Sequence, residues 1–125
     1  MYHSFEDLEV WKRGCQLAVF MYETLKDTRE FGLRDQMQRA AVSIPSNIAE
    51  GAERGGKEFL RYLRIARGSA AELRTQIYIA RKIGIVADEP FARLISEVRE
   101  ISKMLTGLSR SLARTPSHQK ARTED

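Results

Sequence analysis

The sequence predicts an all-α fold, an antiparallel up-down-up-down four-helix bundle. Apolar residues recur at steps of three and four through four successive segments, which lays one apolar stripe along each helix. No stretch alternates apolar and polar residues as a half-buried strand would. Glycine and proline signals leave only short joins between the segments, so neighbouring helices must run antiparallel. The 125 residues make one domain by length. A chain of this size buries roughly two-thirds of its unfolded surface, enough for one core.

In the first segment, Leu8, Trp11, Cys15, Ala18, Tyr22 and Leu25 form the stripe expected to face that core. Val10, Leu17 and Met21, with Phe20 beside them, lie on roughly the opposite side. A helix apolar on two sides is covered on two sides, and in so small a bundle the second cover must be another chain. Homo-oligomerisation is therefore expected, with Val10, Leu17, Phe20 and Met21 in the interface. Gly32 separates this helix from the second, about 33–52, whose stripe reads Leu33, Met37, Ala40, Ala41, Ile44, Ile48 and Ala52. Pro45 removes a hydrogen bond to Ala41 and crowds that carbonyl, so helix two should be kinked near Ser43–Ser46, or broken with Ser46 opening a second piece. Arg39, Ser43, Asn47 and Glu50 make a polar stripe along it: a solvated face, an interhelical hydrogen-bond network or a ligand site.

Gly51, Gly55 and Gly56 loosen the next join. Helix three then presents Phe59, Leu63, Ala66, Ala70, Leu73, Ile77 and Ala80, and Gly84 is placed to close it in the left-handed conformation. Asp88, Glu89 and Pro90 start helix four with a capping oxygen, a first-turn carboxylate and a proline whose missing N–H is harmless. Its stripe is Phe91, Leu94, Val98, Ile101, Leu105, Leu108 and Leu112. The bundle thus spans 1–112, and 113–125, with no apolar stripe, should be a disordered C-terminal tail.

Charge is concentrated in one segment. Residues 54–82 hold Arg54, Lys57, Arg61, Arg64, Arg67, Arg74, Arg81 and Lys82 against Glu58 and Glu72, a net of +6 in a chain of +4. A localised surplus makes a directional field that suits an anionic partner. Arg54, Lys57, Arg61 and Arg64 point away from the apolar stripe and are the candidates for phosphate contact, on RNA or DNA. Arg67, Arg74 and Arg81 repeat every seven residues along the flank, where coiled-coil residues pair with neighbouring chains, and are assigned to the oligomer interface. Tyr62 and Tyr78 could stack on bases, although core packing explains Tyr62 equally well. No helix-turn-helix, zinc-finger or RNA-recognition motif appears, so sequence-specific readout is not indicated.

Catalysis finds little support. The two histidines, His3 and His118, lie near the termini, which removes the usual general base and metal ligand. Ser43, Ser46 and Ser69 have no base to activate them. Glu50 and Glu72 lack the histidine partners of a di-metal bundle, and Gly51, Gly55 and Gly56 lack a phosphate-loop ending. Cys15 on the core stripe reads as a buried, inert thiol. No cofactor or metal is expected. A lone cysteine and no apolar run near about 18 residues point to a cytoplasmic protein without membrane association.

The runs QMQRAAVSIPSNIAEGAER (36–54) and KEFLRYLRIARGSAAELRTQIYIARKIG (57–84), with the opening FEDLEVWKRG (5–14), are similar to a known family. The chain over about 5–112 resembles the four-helix-bundle proteins named after open reading frames in intervening sequences of bacterial 23S ribosomal RNA genes, also called the S23 ribosomal protein family. RAAVSIPSNIAEG, 39–51, is the specific part. The resemblance implies an antiparallel left-handed bundle, assembly as ring-like homopentamers and no established catalytic residues. One departure is visible: Gly55 and Gly56 stand where relatives often start helix three with serine. The expected function is a non-catalytic homo-oligomer that associates with RNA or other nucleic acid through helix three. The alternative is a protein scaffold with an acidic protein as partner.

Overall fold

The computed structural model describes residues 4–114. A 3-10 turn, Phe5–Asp7, leads into four helices: α1 (Glu9–Leu25), α2 (Phe31–Arg54), α3 (Gly56–Lys82) and α4 (Asp88–Arg114). Each helix packs on its two neighbours around a square, α1 on α2 and α4, α3 on α2 and α4, with no contact across either diagonal among the described residues. The 27 residues of α3 and of α4 each span about 40 Å. No helix is long and apolar enough to cross a membrane among the described residues.

The core is one continuous cluster drawn from every helix. From α2 come Met37, Ala40, Ala41, Ile44 and Ile48, from α3 Phe59 through Ala80, and from α4 Leu94, Val98, Ile101 and Leu105, as the spacing predicts. On α1 the prediction holds in part: Ala18 and Leu25 of the expected stripe are buried. Val10, Leu17 and Met21, assigned to an interface between chains, are buried inside this one, Met21 completely. Gly14, Ala18 and Leu25 complete the buried side. Trp11 and Cys15 are half-buried, and Tyr22 is 49% exposed. Phe20 is also half-buried, under the guanidinium of Arg93 at 3.9 Å. The reason lies in residue size. Counting large apolar residues favours the side with Trp11 and Tyr22, whereas these amphipathic rings suit a half-wet flank. The close approach of α1 to α2 is made instead at Gly14, where a Cβ would sit 3.3 Å from the Pro45 ring.

Pro45 does not break α2, which runs as one helix from Phe31 to Arg54. Its ring is buried toward α1, and Asn47 Nδ2 donates to the Ser43 carbonyl (2.8 Å) beside the lost backbone bond. The helix starts two residues before Leu33, so Gly32 lies in its first turn and the link between α1 and α2 is residues 26–30. Gly51 does not loosen a join. It is buried within α2, and a Cβ there would fall 2.6 Å from Tyr62 Cβ. Its role is to let α2 and α3 approach.

The turns agree better with expectation. Gly55 is at φ 73°, caps α2 by donating to the Gly51 carbonyl (2.9 Å), and hands the chain directly to α3. Gly84, at φ 86°, closes α3 in the left-handed region: its N–H bonds the Arg81 carbonyl and the Ile85 N–H reaches back to the Ala80 carbonyl (3.0 Å). Across the open side of the square, Arg13 of α1 clasps Glu97 of α4 through two bonds of 2.7 and 2.9 Å. This hydrogen-bonded carboxylate raises the Arg13 pKa. Ala113 and Arg114, expected in the tail, continue α4, and residues 115–125 lie outside the described residues.

Candidate functional site

Because α3 gives one side to the core, its cations are distributed over the remaining faces. The four singled out from sequence do not act alike. Arg54, at the end of α2, pairs with Glu50 (2.9 Å), and Arg61 pairs with Glu58 (3.2 Å). Both guanidinium groups also lie on the Tyr62 ring, at 5.3 and 4.7 Å. Two arginines, two glutamates and a tyrosine thus form one locally neutralised cluster, in which the carboxylate bonds raise both arginine pKa values. Lys57 and Arg64 are exposed, and no carboxylate among the described residues pairs with them.

Arg64 belongs to a different assembly. An open groove of about 500 Å³ between α3 and α4 is lined by Arg64, Arg67, Gly68, Ala71, Arg74, Ser102 and Thr106. A second of about 510 Å³ adjoins it and shares Arg74, Ser102 and Thr106, adding Arg99, Lys103, Gly107 and Arg110. Among the described residues the walls together carry six cationic side chains and no carboxylate. Ser102 and Thr106 are half-buried at its base, whereas Gly68 and Gly107 are exposed at its rim, where an added Cβ would meet nothing within 4 Å. Among the described residues only Arg99 of the six cations has a side-chain partner, donating to the Tyr78 hydroxyl (3.2 Å). Tyr78 itself is 43% exposed and edge-on to Phe91.

Arg67 and Arg74, expected in the oligomer interface, therefore face α4 of their own chain. Arg81 is engaged within the chain as well: it pairs with Asp88 at the start of α4 and donates to the Val86 carbonyl (3.4 Å). It clamps the α3–α4 turn instead of reaching outward to a neighbour.

The α4 half of the groove was not singled out from sequence. Segment 83–112 is neutral by count, which hides a segregation. Arg99, Lys103 and Arg110 are separated by four and seven residues, one helix face, whereas Glu97 is turned to Arg13 on the α1 side. Spacing read for charge, as it was for apolar residues, would have found them.

The remaining polar stripe is structural in its geometry. Ser43 and Ser69 hydroxyls are 2.8 Å apart, joining α2 to α3, and Asn47 Nδ2 donates to Ser43 Oγ (2.9 Å). Among the described residues no base bonds to either serine. On the opposite side of α2, Trp11, Cys15, Ala18, Val42, Pro45, Ser46 and Ala49 line an apolar groove of about 360 Å³ against α1. Val19, Tyr22 and Val42 are exposed around it. Partial burial pushes the Cys15 thiol pKa up.

The chain was compared with known proteins. A family model described as 23S rRNA-intervening sequence protein matches residues 6–107. A similar solved structure, at 1.70 Å, is a protein of unknown function from the S23 ribosomal protein family of Bacteroides thetaiotaomicron. It is 24% identical over 80% of this chain and 97% of that one, with a TM-score of 0.75. That likeness concerns the fold. Among curated proteins none matches.

Proposed function

The chain belongs to the 23S rRNA-intervening sequence protein family, and from that premise we propose that it is a non-catalytic, self-associating bundle that binds RNA or other nucleic acid through its basic helix-three surface. One observation carries the reading: the cations of α3 that face α4 line a groove without a single carboxylate in its walls. Phosphate is the anion such a surface suits, because binding it releases condensed counterions as well as satisfying the arginines. Arg64 and Lys57 are exposed and unneutralised members of the surface. Arg54 and Arg61 can join them, since exposed ion pairs such as those with Glu50 and Glu58 open readily.

Self-association multiplies a weak site, because linked sites bind avidly when they engage together. In our reading the α1–α2 groove, with Tyr22, Val19 and Val42 at its edge, is covered by a neighbouring copy. Ile65, Ile79 and Ile83 are exposed on the far side of α3 from Arg67 and Arg74. A ring needs two different complementary surfaces on each subunit, and these two patches supply them. The ring of five follows from the family resemblance, and a cytoplasmic site of action from the lone cysteine.

Replacing Arg54, Lys57, Arg61 and Arg64 together by glutamate tests the reading. Retention on immobilised RNA should be lost while the oligomer, measured by light scattering, persists. Undiminished retention would reject these four side chains as the binding surface.

A further inference from the structure

We infer that the groove between α3 and α4 is the seat of a single RNA strand, with Arg99, Lys103 and Arg110 of α4 forming the second wall of the phosphate site. This rests on the nucleic-acid reading above and specifies where and how the strand lies. Three observations combine. The walls hold Arg64, Arg67 and Arg74 on one side and Arg99, Lys103 and Arg110 on the other. At 1.5 Å per residue, each row extends for about 15 Å along its helix, so the charges form a track and not a point. One cationic row from each helix flanks a single groove, which suits one phosphate backbone running between them.

The floor of the channel determines the kind of strand. Ser102 and Thr106 lie in both halves of the groove, between the two cationic rows. A hydroxyl at this position can donate to or accept from a ribose 2′-hydroxyl, the group that separates RNA from DNA. Gly68 and Gly107, exposed at the rim, put no side chain over the groove. Tyr78, with its hydroxyl held by Arg99, is the exposed aromatic at this side of α3. There is no row of aromatic rings along the groove lining to stack successive bases. The strand is accordingly held by phosphate and sugar, with its bases outward and their sequence unread.

The experiment uses the full chain and a fluorescently labelled, unstructured RNA of mixed sequence, with DNA of the same sequence as the second arm. Affinity is measured across a salt series for four proteins: the unaltered chain, R99Q/K103Q/R110Q, S102A/T106A, and the charge-matched control K12Q/K26Q/R29Q on the α1 side. The α4 triple variant should bind RNA at least tenfold more weakly at moderate salt. Its log–log salt slope should be shallower by about 2, three phosphate contacts at about 0.7 each. The control should keep the original slope. S102A/T106A should keep the slope but bind RNA and DNA equally, whereas the unaltered chain prefers RNA. Thermal melts of each variant separate lost binding from lost folding, and the serine–threonine pair provides a readout with no change of charge.

If the triple variant binds RNA as the unaltered chain does while the helix-three glutamate variant does not, this inference fails and the nucleic-acid reading stands. If the unaltered chain binds neither RNA nor DNA, both fail. Equal affinity for polyglutamate would also overturn the inference, by making the groove a site for acidic protein.

Discussion

At the scale of the residue, two glycines with opposite surroundings make the sharpest contrast. Gly51→Ala would drive a Cβ to within 2.6 Å of Tyr62 Cβ, a contact that no rotamer change relieves. We expect a loss of about 1–3 kcal/mol in urea unfolding, the usual cost of overpacking. Gly68→Ala meets open space in mid-helix and should stabilise by roughly 0.5–1 kcal/mol. Cys15 gives a second test at this scale. Its raised pKa and half-buried position predict slower alkylation at neutral pH than in the urea-unfolded chain. Equal rates would show the thiol to be open to solvent. Because the folded pKa lies above the unfolded one, the associated stability is present below the unfolded thiol pKa and is lost as pH rises through the folded one. The same residues mark what sequence can reveal. Leu94, Val98, Ile101 and Leu105 are unambiguous because only one face of α4 is apolar. On α1 the apolar arc is wide, and choosing its centre requires knowing that Gly14 meets Pro45, a contact between residues 31 positions apart.

At the scale of the element, helices and turns were legible because their signals are local. Gly84 reads as a helix stop on its own chemistry, and Asp88, Glu89 and Pro90 mark the start of α4, although Asp88 is its first helical residue, paired with Arg81, and not the expected cap. How one element meets the next was less legible. Pro45 carries a helix-breaking signal, yet α2 continues through it with the ring packed toward α1. Tertiary packing outweighed the local preference. The Arg13–Glu97 clasp was invisible for a similar reason: the partners are 84 residues apart and neither spacing announces the other. Its two hydrogen bonds and partial burial should make it worth about 1 kcal/mol, near the upper end for such pairs. A double-mutant cycle with Arg13→Gln and Glu97→Gln measures the coupling, and a value near zero would make the clasp incidental.

At the scale of the whole molecule, the bundle converts charge that is scattered in sequence into one surface. Segment counts locate +6 in residues 54–82 but assign nothing to α4, because Arg99, Lys103 and Arg110 are balanced by acids on other faces. Only packing α4 beside α3 joins the two rows. The apolar flank follows the same logic. Under the proposed self-association, Tyr22→Glu with Val42→Glu should give single subunits with unchanged helical content, since both side chains are exposed in the isolated bundle. Met21→Ala, by contrast, opens the core and should cost about 2–5 kcal/mol. Light scattering and denaturant melts distinguish the two outcomes. The claim that matters most is that this surface binds nucleic-acid phosphate, and the salt dependence of RNA affinity for the unaltered chain addresses it most directly. Six phosphate contacts predict a line of log K against log salt with a slope near −4, at about −0.7 per contact on a single strand. A flat line, or no binding at low salt, would contradict it.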